Sequence, residues 1–437
     1  MHKILICVIL FLSLLFRLKG ITQVSFWHDE LWTIAYWCHP NSLSEVWLNL
    51  WNPYEANLPL YPFFINIWSH IFGISELALV LPSAIAGSLS VVSIYLLAKK
   101  CYTDFEAIIS ASFMCALSTP LYFSQEIRCY SFVLLLTTVS LFFKYSEKKT
   151  AWITSSILLC WTHYFGVLFV LLMAVLDFAN RWFKAKPYFI IALSMVPLLP
   201  LIWFQFNHGP VIYPDLSIVE ILSFPFWIFD SSFQSLAIVM SILLVASILT
   251  YTIKRKWKKT DGEFYYLVFA PVLITVFVHF IFKPVFQERY LLIALPAAFL
   301  LVSHLLSILS LESKKASVIL ASLILVSPFW GKGEFEKKYP KIKESLEYIS
   351  QHQECDKNIF VPEKDQRLWA YYLTRFSSFK MARNPHSFGK ESFWTLVVDI
   401  TDEDVALERQ NFVQNYEVLN ARSALEVEAV CLKPLNS

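Results

Sequence analysis

The sequence predicts an all-α polytopic membrane protein of about eleven crossings, followed by a small α/β domain, and three observations lead there. Hydrophobic residues make up 57% of the chain and charged residues only 16%, where a soluble domain carries about 25%. The apolar residues come in blocks of roughly 17–22, enough to cross a hydrocarbon core about 30 Å thick. Lysines and arginines gather between alternate blocks, so the placement of charge is informative although the net charge is only +2.

Taken in order, spans are expected at 4–19, 77–98, 104–122, 130–145, 151–163, 164–180, 187–205, 234–252, 263–282, 290–309 and 316–330. The basic clusters are Lys99-Lys100, Lys144 with Lys148-Lys149, Arg181 with Lys184 and Lys186, Lys254-Arg255-Lys256 with Lys258-Lys259, and Lys314-Lys315. Loops on the other side hold few basic residues, mainly Arg128, Lys283 and Arg289. Cytoplasmic loops carry the excess of Lys and Arg, so the clusters face the cytoplasm. An odd number of crossings from a cytoplasmic N-terminus then places the residues after 330 outside.

Two stretches are decided by parity. Residues 58–73 look like a span, but a crossing there would invert every later cluster, and they contain Asn66, Ser69 and His70. They are expected as an interfacial helix in the first outer loop. Residues 151–180 have basic clusters at both ends and so cross twice, with His163-Tyr164 near the outer turn. Residues 1–19 are read as an uncleaved first span, because no small-residue cleavage site follows and Arg17 and Lys19 stand at the exit.

From Gly331 the composition becomes charged and mixed, which divides the chain into a membrane domain, 1–330, and an extracytoplasmic accessory domain, 331–437. Helices are expected at 337–352 and 365–375, strands at 359–361 and 394–398, and a hairpin at 415–433. Among the eight cysteines none has metal-ligand spacing. Cys355 and Cys431 share the outer domain and could pair in an oxidising compartment, although the sequence does not supply the geometry a bridge demands.

The polar residues that could carry chemistry all fall on the outer side. The first outer loop reads Phe26-Trp27-His28-Asp29-Glu30-Leu31-Trp32, an acidic pair among aromatics that favour the membrane interface. Gln125-Glu126-Ile127-Arg128-Cys129-Tyr130 follows the third span, His163-Tyr164 forms the next outer turn, and Gln287-Glu288-Arg289-Tyr290 precedes the tenth span. Ionisable groups at membrane depth are costly and tend to face a cavity or one another. The set suits displacement at a sugar carbon bearing a lipid phosphate. A carboxylate, Asp29 or Glu30, removes the acceptor's proton, and the planar forks of Arg128 and Arg289 match phosphate oxygens.

Each group also has a plainer reading. The acidic pair can be a solvated loop, and Glu126 and Arg128, two apart, do not face each other on one helix. Arg128 can be an interfacial snorkelling residue, His163 a hydrogen-bonded turn residue, and Arg289-Tyr290 an interface anchor. Their convergence on one membrane face is what gives them weight.

The ordered series WHDE, NLPLYPFF with FGISELALVLPSA, SQEIRCYSF, THYFG and ERYLLIALP resembles the protein-mannosyltransferase-like branch of the C-type glycosyltransferase superfamily, which includes protein mannosyltransferases and lipid A aminoarabinose transferases. The resemblance runs over residues 5–330. It implies the C-type glycosyltransferase fold and a polyprenyl-phosphate sugar donor, with transfer, usually inverting, on the outer face. It carries the expected catalytic position to Asp29 with Glu30 beside it, and the phosphate-side positions to Arg128 and Arg289. His28, Gln125, Glu126, Tyr130, His163, Tyr164 and Tyr290 are the supporting, substrate-binding candidates. Some members bind a divalent metal ion, for which this chain offers only Asp29, Glu30 and His28; no cofactor is otherwise expected. Two departures stand out: Asn57-Leu58-Pro59-Leu60 replaces a His- or Lys-Pro-Pro-Leu stretch, and Val80 stands where an arginine is common.

The resulting expectation is a multi-pass glycosyltransferase of a bacterial inner (plasma) membrane, with active site and C-terminal domain extracytoplasmic. Its partners are a polyprenyl-phosphate sugar, a glycan, lipid or protein hydroxyl acceptor, and the bilayer, with no nucleic acid. The rival readings are a secondary transporter or lipid flippase, and an inactive scaffold for envelope assembly. Transporters tend to show internal repeats and paired broken helices at mid-membrane, and the sequence shows neither.

Overall fold

The computed structural model describes residues 2–21, 25–53, 55–181, 184–208, 218–229, 234–254, 258–281, 287–311, 314–330, 342–351, 358–360, 371, 380–382, 393–398, 416–424 and 427–434. The chain divides into two compact units, Met1–Lys19 with Ser42–Phe335, and Gly20–Asn41 with Glu336–Ser437. The stretch from Gly20 to Asn41 therefore groups with the C-terminal residues and not with the helices that flank it in sequence.

The first unit is built from α1 (His2–Leu18), α3 (Leu43–Asn49), α4 (Leu60–Phe72), α5 (Glu76–Cys101), α6 (Asp104–Ala116), α7 (Ser118–Phe123), α8 (Tyr130–Tyr145), α9 (Lys149–Thr162) and α10 (Tyr164–Ala179). It continues through α11 (Ala185–Met195), α12 (Leu199–His208), α13 (Ile218–Leu222), α14 (Phe224–Ile228), α15 (Gln234–Lys254), α16 (Lys259–Ile281), α17 (Leu295–Leu306) and α18 (Lys314–Trp330). The helix α2 (His28–Trp37) belongs to the second unit.

This is an all-α polytopic membrane architecture. Among the described residues four helical stretches are long and apolar enough to cross a bilayer: Glu76–Cys101, Ala185–His208, Lys259–Ile281 and Arg289–Leu309. Shorter apolar helices occupy Ile4–Leu18, Tyr130–Tyr145, Tyr164–Ala179, Ile238–Ile248 and Ile319–Pro328. The expected span 104–122 is split: Leu117 takes an extended conformation, ψ 147, and the chain restarts as α7. The helix over 60–72 is 13 residues long, about 20 Å at 1.5 Å per residue, too short to cross. It ends at Gly73, where φ of 79 suits a residue without Cβ.

The packing centre is the pair α6 and α17. Every side chain from Phe105 to Ala116 and from Leu295 to Leu306 is buried, and Ser110 and Ser303 share a hydrogen bond of 2.8 Å between them. Small hydroxyls at such a contact let helix backbones approach closely.

At the ends of the helices where the basic clusters lie, buried acids meet built-in partners. Glu106 Oε1 is 3.0 Å from His304 Nδ1, Tyr102 donates to Asp261 at 2.6 Å, and Tyr145 donates to Glu263 at 2.7 Å. Asp177 accepts from both Lys144 and Tyr188 at 2.6 Å. Burying a charge is tolerable only when it is paired and hydrogen-bonded, and these bonds tie the ends of α5, α6, α8, α10, α16 and α17 together.

The second unit carries a five-stranded mixed sheet ordered β2-β1-β3-β5-β4, from β1 (Asn358–Phe360), β2 (Lys380–Ala382), β3 (Phe393–Val398), β4 (Tyr416–Ala424) and β5 (Val427–Pro434). β1 pairs in parallel with β2 and β3, and β5 pairs antiparallel with β3 and β4, with Trp394 opposite Cys431 and a bulge between Val418 and Asn420. The helix α19 (Ile342–Gln351) turns Leu346 and Ile349 inward. Cys431 is buried and disulfide-bonded; Cys355, its expected partner, lies outside the described residues. The expected helix at 365–375 also lies outside them, apart from Tyr371.

Candidate active site

The segment Ser124–Cys129 is strapped to the end of α1. Arg17, fully buried, donates to Ser124 Oγ at 3.1 Å, to the Met114 carbonyl at 2.9 Å and to Ser13 Oγ at 2.7 Å. In return Gln125 Nε2 donates to the carbonyls of Phe16, Arg17 and Lys19, at 3.2, 3.2 and 2.9 Å. Gly87 makes this joint fit: a Cβ there would stand 2.5 Å from Arg17 Nε and 2.8 Å from Ser124 Cβ. These bonds from the Gln125 amide hold the loop that bears Glu126 and Arg128.

That loop delivers Arg128, buried, directly ahead of α8 and its first residue Tyr130. Arg289 arrives from the 3₁₀ turn Glu288–Ala294, with its guanidinium carbon 5.7 Å from the centre of the Tyr130 ring and 5.8 Å from that of Tyr290. The third contributor is His163, in the one-residue link between α9 and α10, where Nδ1 accepts the Phe165 N–H at 3.2 Å and caps α10. The His163 ring lies 6.1 Å from Tyr130, 5.9 Å from Tyr290 and 5.4 Å from Phe165, and Phe165 stacks on Tyr290 at 4.2 Å. Gly166 permits the tight link, since a Cβ there would lie 2.6 Å from the Leu159 carbonyl carbon.

Electrostatics report the same convergence. Burial pushes the Cys129 thiol up to about 12, and the side-chain charges acting on it are Arg128, Arg289 and Glu55. Arg128 and Arg289 both act on His163 as well. The structure thus brings Arg128, Arg289, Tyr130, Tyr290 and His163 together from three separate loops. Guanidinium groups bounded by aromatic faces suit an anion attached to an apolar body.

Sequence reasoning passed over Glu55. Its carboxylate is buried and accepts from the Ala56 and Asn57 N–H groups at 2.9 and 3.0 Å and from Asn57 Nδ2 at 2.6 Å. Gln205 of α12 closes this layer, donating to the carbonyls of Leu50 and Asn57 at 2.9 and 3.2 Å and accepting from Tyr164 Oη at 2.6 Å. Tyr164 thereby braces the Glu55 loop. The signal that would have found Glu55 is an acid alone in the apolar stretch around Asn57-Leu58-Pro59-Leu60, since such a residue tends to be functional.

The acidic pair belongs to the second unit. Asp29 stands in the first turn of α2 with its side chain 27% exposed, and His28 beside it is 62% exposed, with Nδ1 3.8 Å from Asp29 Oδ1. Glu30 is buried, and its Oε2 accepts the Trp27 N–H at 3.2 Å, which satisfies a donor the helix start leaves open. The two adjacent acids have different tasks: one closes the helix, the other presents its carboxylate. The side chain of Glu288 lies outside the described residues. Among the described residues no group of three or more His, Cys, Asp or Glu side chains is arranged to hold a metal ion.

Residues 53–204 match the family model of dolichyl-phosphate-mannose-protein mannosyltransferases, a stretch that contains Glu55, Arg128 and His163. The fold is similar to that of ArnT from Cupriavidus metallidurans in the apo state, with a TM-score of 0.61, 11% identity and 97% of each chain covered. It is also similar to ArnT from the same organism bound to undecaprenyl phosphate, with a TM-score of 0.52, 12% identity and again 97% of each chain. No curated protein sequence matches the chain. These findings bear out the resemblance to the protein-mannosyltransferase and ArnT branch read from the motifs.

Proposed function

We propose that the protein is an integral-membrane glycosyltransferase that takes a sugar from a polyprenyl phosphate and transfers it to an acceptor hydroxyl on the outer face of the plasma membrane. The observation that carries this reading is the meeting of Arg128 and Arg289, from separate loops, around Cys129, His163 and the rings of Tyr130 and Tyr290. Two planar cations can each bind phosphate oxygens in bidentate fashion. Support also comes from the fold, shared with a protein solved in complex with undecaprenyl phosphate.

In this reading Asp29 takes the proton from the acceptor hydroxyl as its oxygen attacks the anomeric carbon. The bond from that carbon to the phosphate oxygen breaks, and its electron pair leaves on the polyprenyl phosphate. Arg128 and Arg289 stabilise the charge that grows on the departing phosphate. A single displacement of this kind inverts the anomeric configuration. Glu30 holds the turn that presents Asp29, and Glu55 with Asn57 and Gln205 supports the wall behind Cys129.

The deciding experiment incubates purified protein with a panel of polyprenyl-phosphate sugars and a glycan, a lipid and a peptide acceptor, and follows release of polyprenyl phosphate. Consumption of one donor with a matching glycosylated product is expected; no release from any donor would overturn the reading. Orientation has its own test. Single cysteines placed in 206–233 and 335–437 should react with an impermeant thiol reagent on intact cells. Reaction only after the inner face is opened would reverse the proposed side.

A further inference from the structure

We infer that Tyr371 is a positioning residue for Asp29, so that the C-terminal domain sets the geometry of the first-loop acid; this rests on Asp29 being the base proposed above. Residues Gly20–Asn41, which carry Asp29, form one compact unit with Glu336–Ser437. Within that unit a ring pair joins the two segments: Phe26, 3% exposed, against Tyr371, 7% exposed, with centroids 5.5 Å apart and planes at 50°. Buried aromatic pairs prefer such tilted arrangements and resist sliding, because ring edges and faces carry opposite partial charge.

Between Phe26 and Asp29 little freedom remains. The Trp27 carbonyl accepts the N–H groups of both Glu30 and Leu31 at 3.0 Å, and the Trp27 N–H is held by Glu30 Oε2 at 3.2 Å. Thr33 Oγ1 donates to the Asp29 carbonyl at 3.0 Å. The helix start is therefore a stiff piece, and Phe26 is its handle. Fixing Phe26 against Tyr371 fixes where the Asp29 carboxylate is presented. The far end is also secured: Trp37 and Cys38 are fully buried, and Asn41 Nδ2 donates to the carbonyls of Ala35 and Cys38 at 3.0 and 2.9 Å. A misplacement of about 1 Å at a reacting group can cost a factor of roughly a hundred in rate, so a domain that holds this piece acts on turnover without touching substrate.

The test uses full-length Tyr371→Ala and Tyr371→Phe, the latter keeping the ring. Amide hydrogen exchange at Glu30 and Leu31, both bonded to the Trp27 carbonyl, reads the helix start directly. In Tyr371→Ala exchange there should quicken and turnover should fall by about ten- to a hundredfold, while affinity for undecaprenyl phosphate stays that of the wild type. Tyr371→Phe should restore both exchange and turnover. Unchanged exchange in Tyr371→Ala overturns the inference, as does quickened exchange with wild-type turnover when Asp29→Asn is inactive. Should Asp29→Asn prove active, the assignment of the base falls, and the exchange rates alone decide whether Tyr371 holds the loop. Tyr371→Leu, which keeps buried apolar volume but no ring, takes the place of a poorly folded Tyr371→Ala under the same criteria.

Discussion

The two ends of α8, α10 and α17 handle buried charge in opposite ways. At one end the charges are acids whose partners are built into neighbouring helices: Glu106 with His304, Asp177 with Lys144 and Tyr188, Glu263 with Tyr145. At the other end the guanidinium of Arg289 lies over Tyr130 and Tyr290, and its charge and that of Arg128 bear on Cys129 and His163. A carboxylate bonded to a side chain on the next helix locks two helices together. A guanidinium stacked on a ring face has its N–H donors in the plane of a fork whose geometry matches a planar or tetrahedral anion. One end therefore reads as a fastening, the other is the proposed phosphate site, and each can be perturbed separately.

The largest effect is expected from the proposed base. Asp29→Asn is nearly isosteric but removes the base, so turnover should fall by a factor of about 10²–10⁴ with folding and undecaprenyl phosphate binding intact. Near-wild-type turnover in this variant would remove Asp29 from the chemistry.

Next come the arginines. Arg128→Ala and Arg289→Ala should each lower turnover by about 10²–10³ and weaken donor saturation, leaving the acceptor's apparent affinity little changed. Arg→Lys should lose less but still be impaired, because the ammonium lacks the bidentate fork. Saturation curves for both substrates at matched protein levels give the answer. Unchanged donor saturation and turnover in Arg128→Ala would break the distinction between the two ends.

At the fastening end the readout should be stability. His304→Ala removes the partner of Oε1 of the buried Glu106 and should cost about 1–3 kcal/mol, seen as a lower thermal midpoint in detergent. Turnover per folded molecule should stay near that of the wild type. A loss of turnover without a loss of stability would mean that both ends serve the reaction.

The smallest effect is expected from Glu30→Gln. The amide oxygen still accepts the Trp27 N–H, so only the charge at the helix start is lost, worth about 0.3–1 kcal/mol. Exchange at the α2 amides and turnover should both change little. If Glu30→Gln is inactive and Asp29→Asn is not, the roles of the two acids are exchanged.

Much of this was legible in the residues. The apolar run 130–145 becomes α8 over Tyr130–Tyr145, and the pairing of 58–73 with an interfacial role agrees with a helix too short to cross. Strands were visible at 359–361 and 394–398 because β-branched and aromatic residues alternate there with little else. The break between α6 and α7 was passed over, although Ser118-Thr119-Pro120 directly after Leu117 interrupts the apolar run and suits a helix restart. The strand β2, three residues long and joined to β1 in parallel, was not visible, because a parallel partner lies beyond any local turn signal. For the site, charge placement alone was enough to gather Arg128, Arg289 and His163 on one side. It gave no sign that Gln125 would bond to the end of α1 or that Glu55 would stand behind Cys129.

Hydrophobicity and charge act locally, and they fix which stretches are helices in a membrane, which loops share a face, and which acids and bases those loops offer. Only the tertiary structure decided who meets whom. It chose Tyr371 for Phe26, Ser124 for Arg17 and Tyr130 for Arg289, and it assigned the loop bearing Asp29 to the C-terminal unit. The reason is physical. A residue's preference for water or lipid is its own, whereas a buried contact between distant residues exists only once the rest of the chain has packed around both.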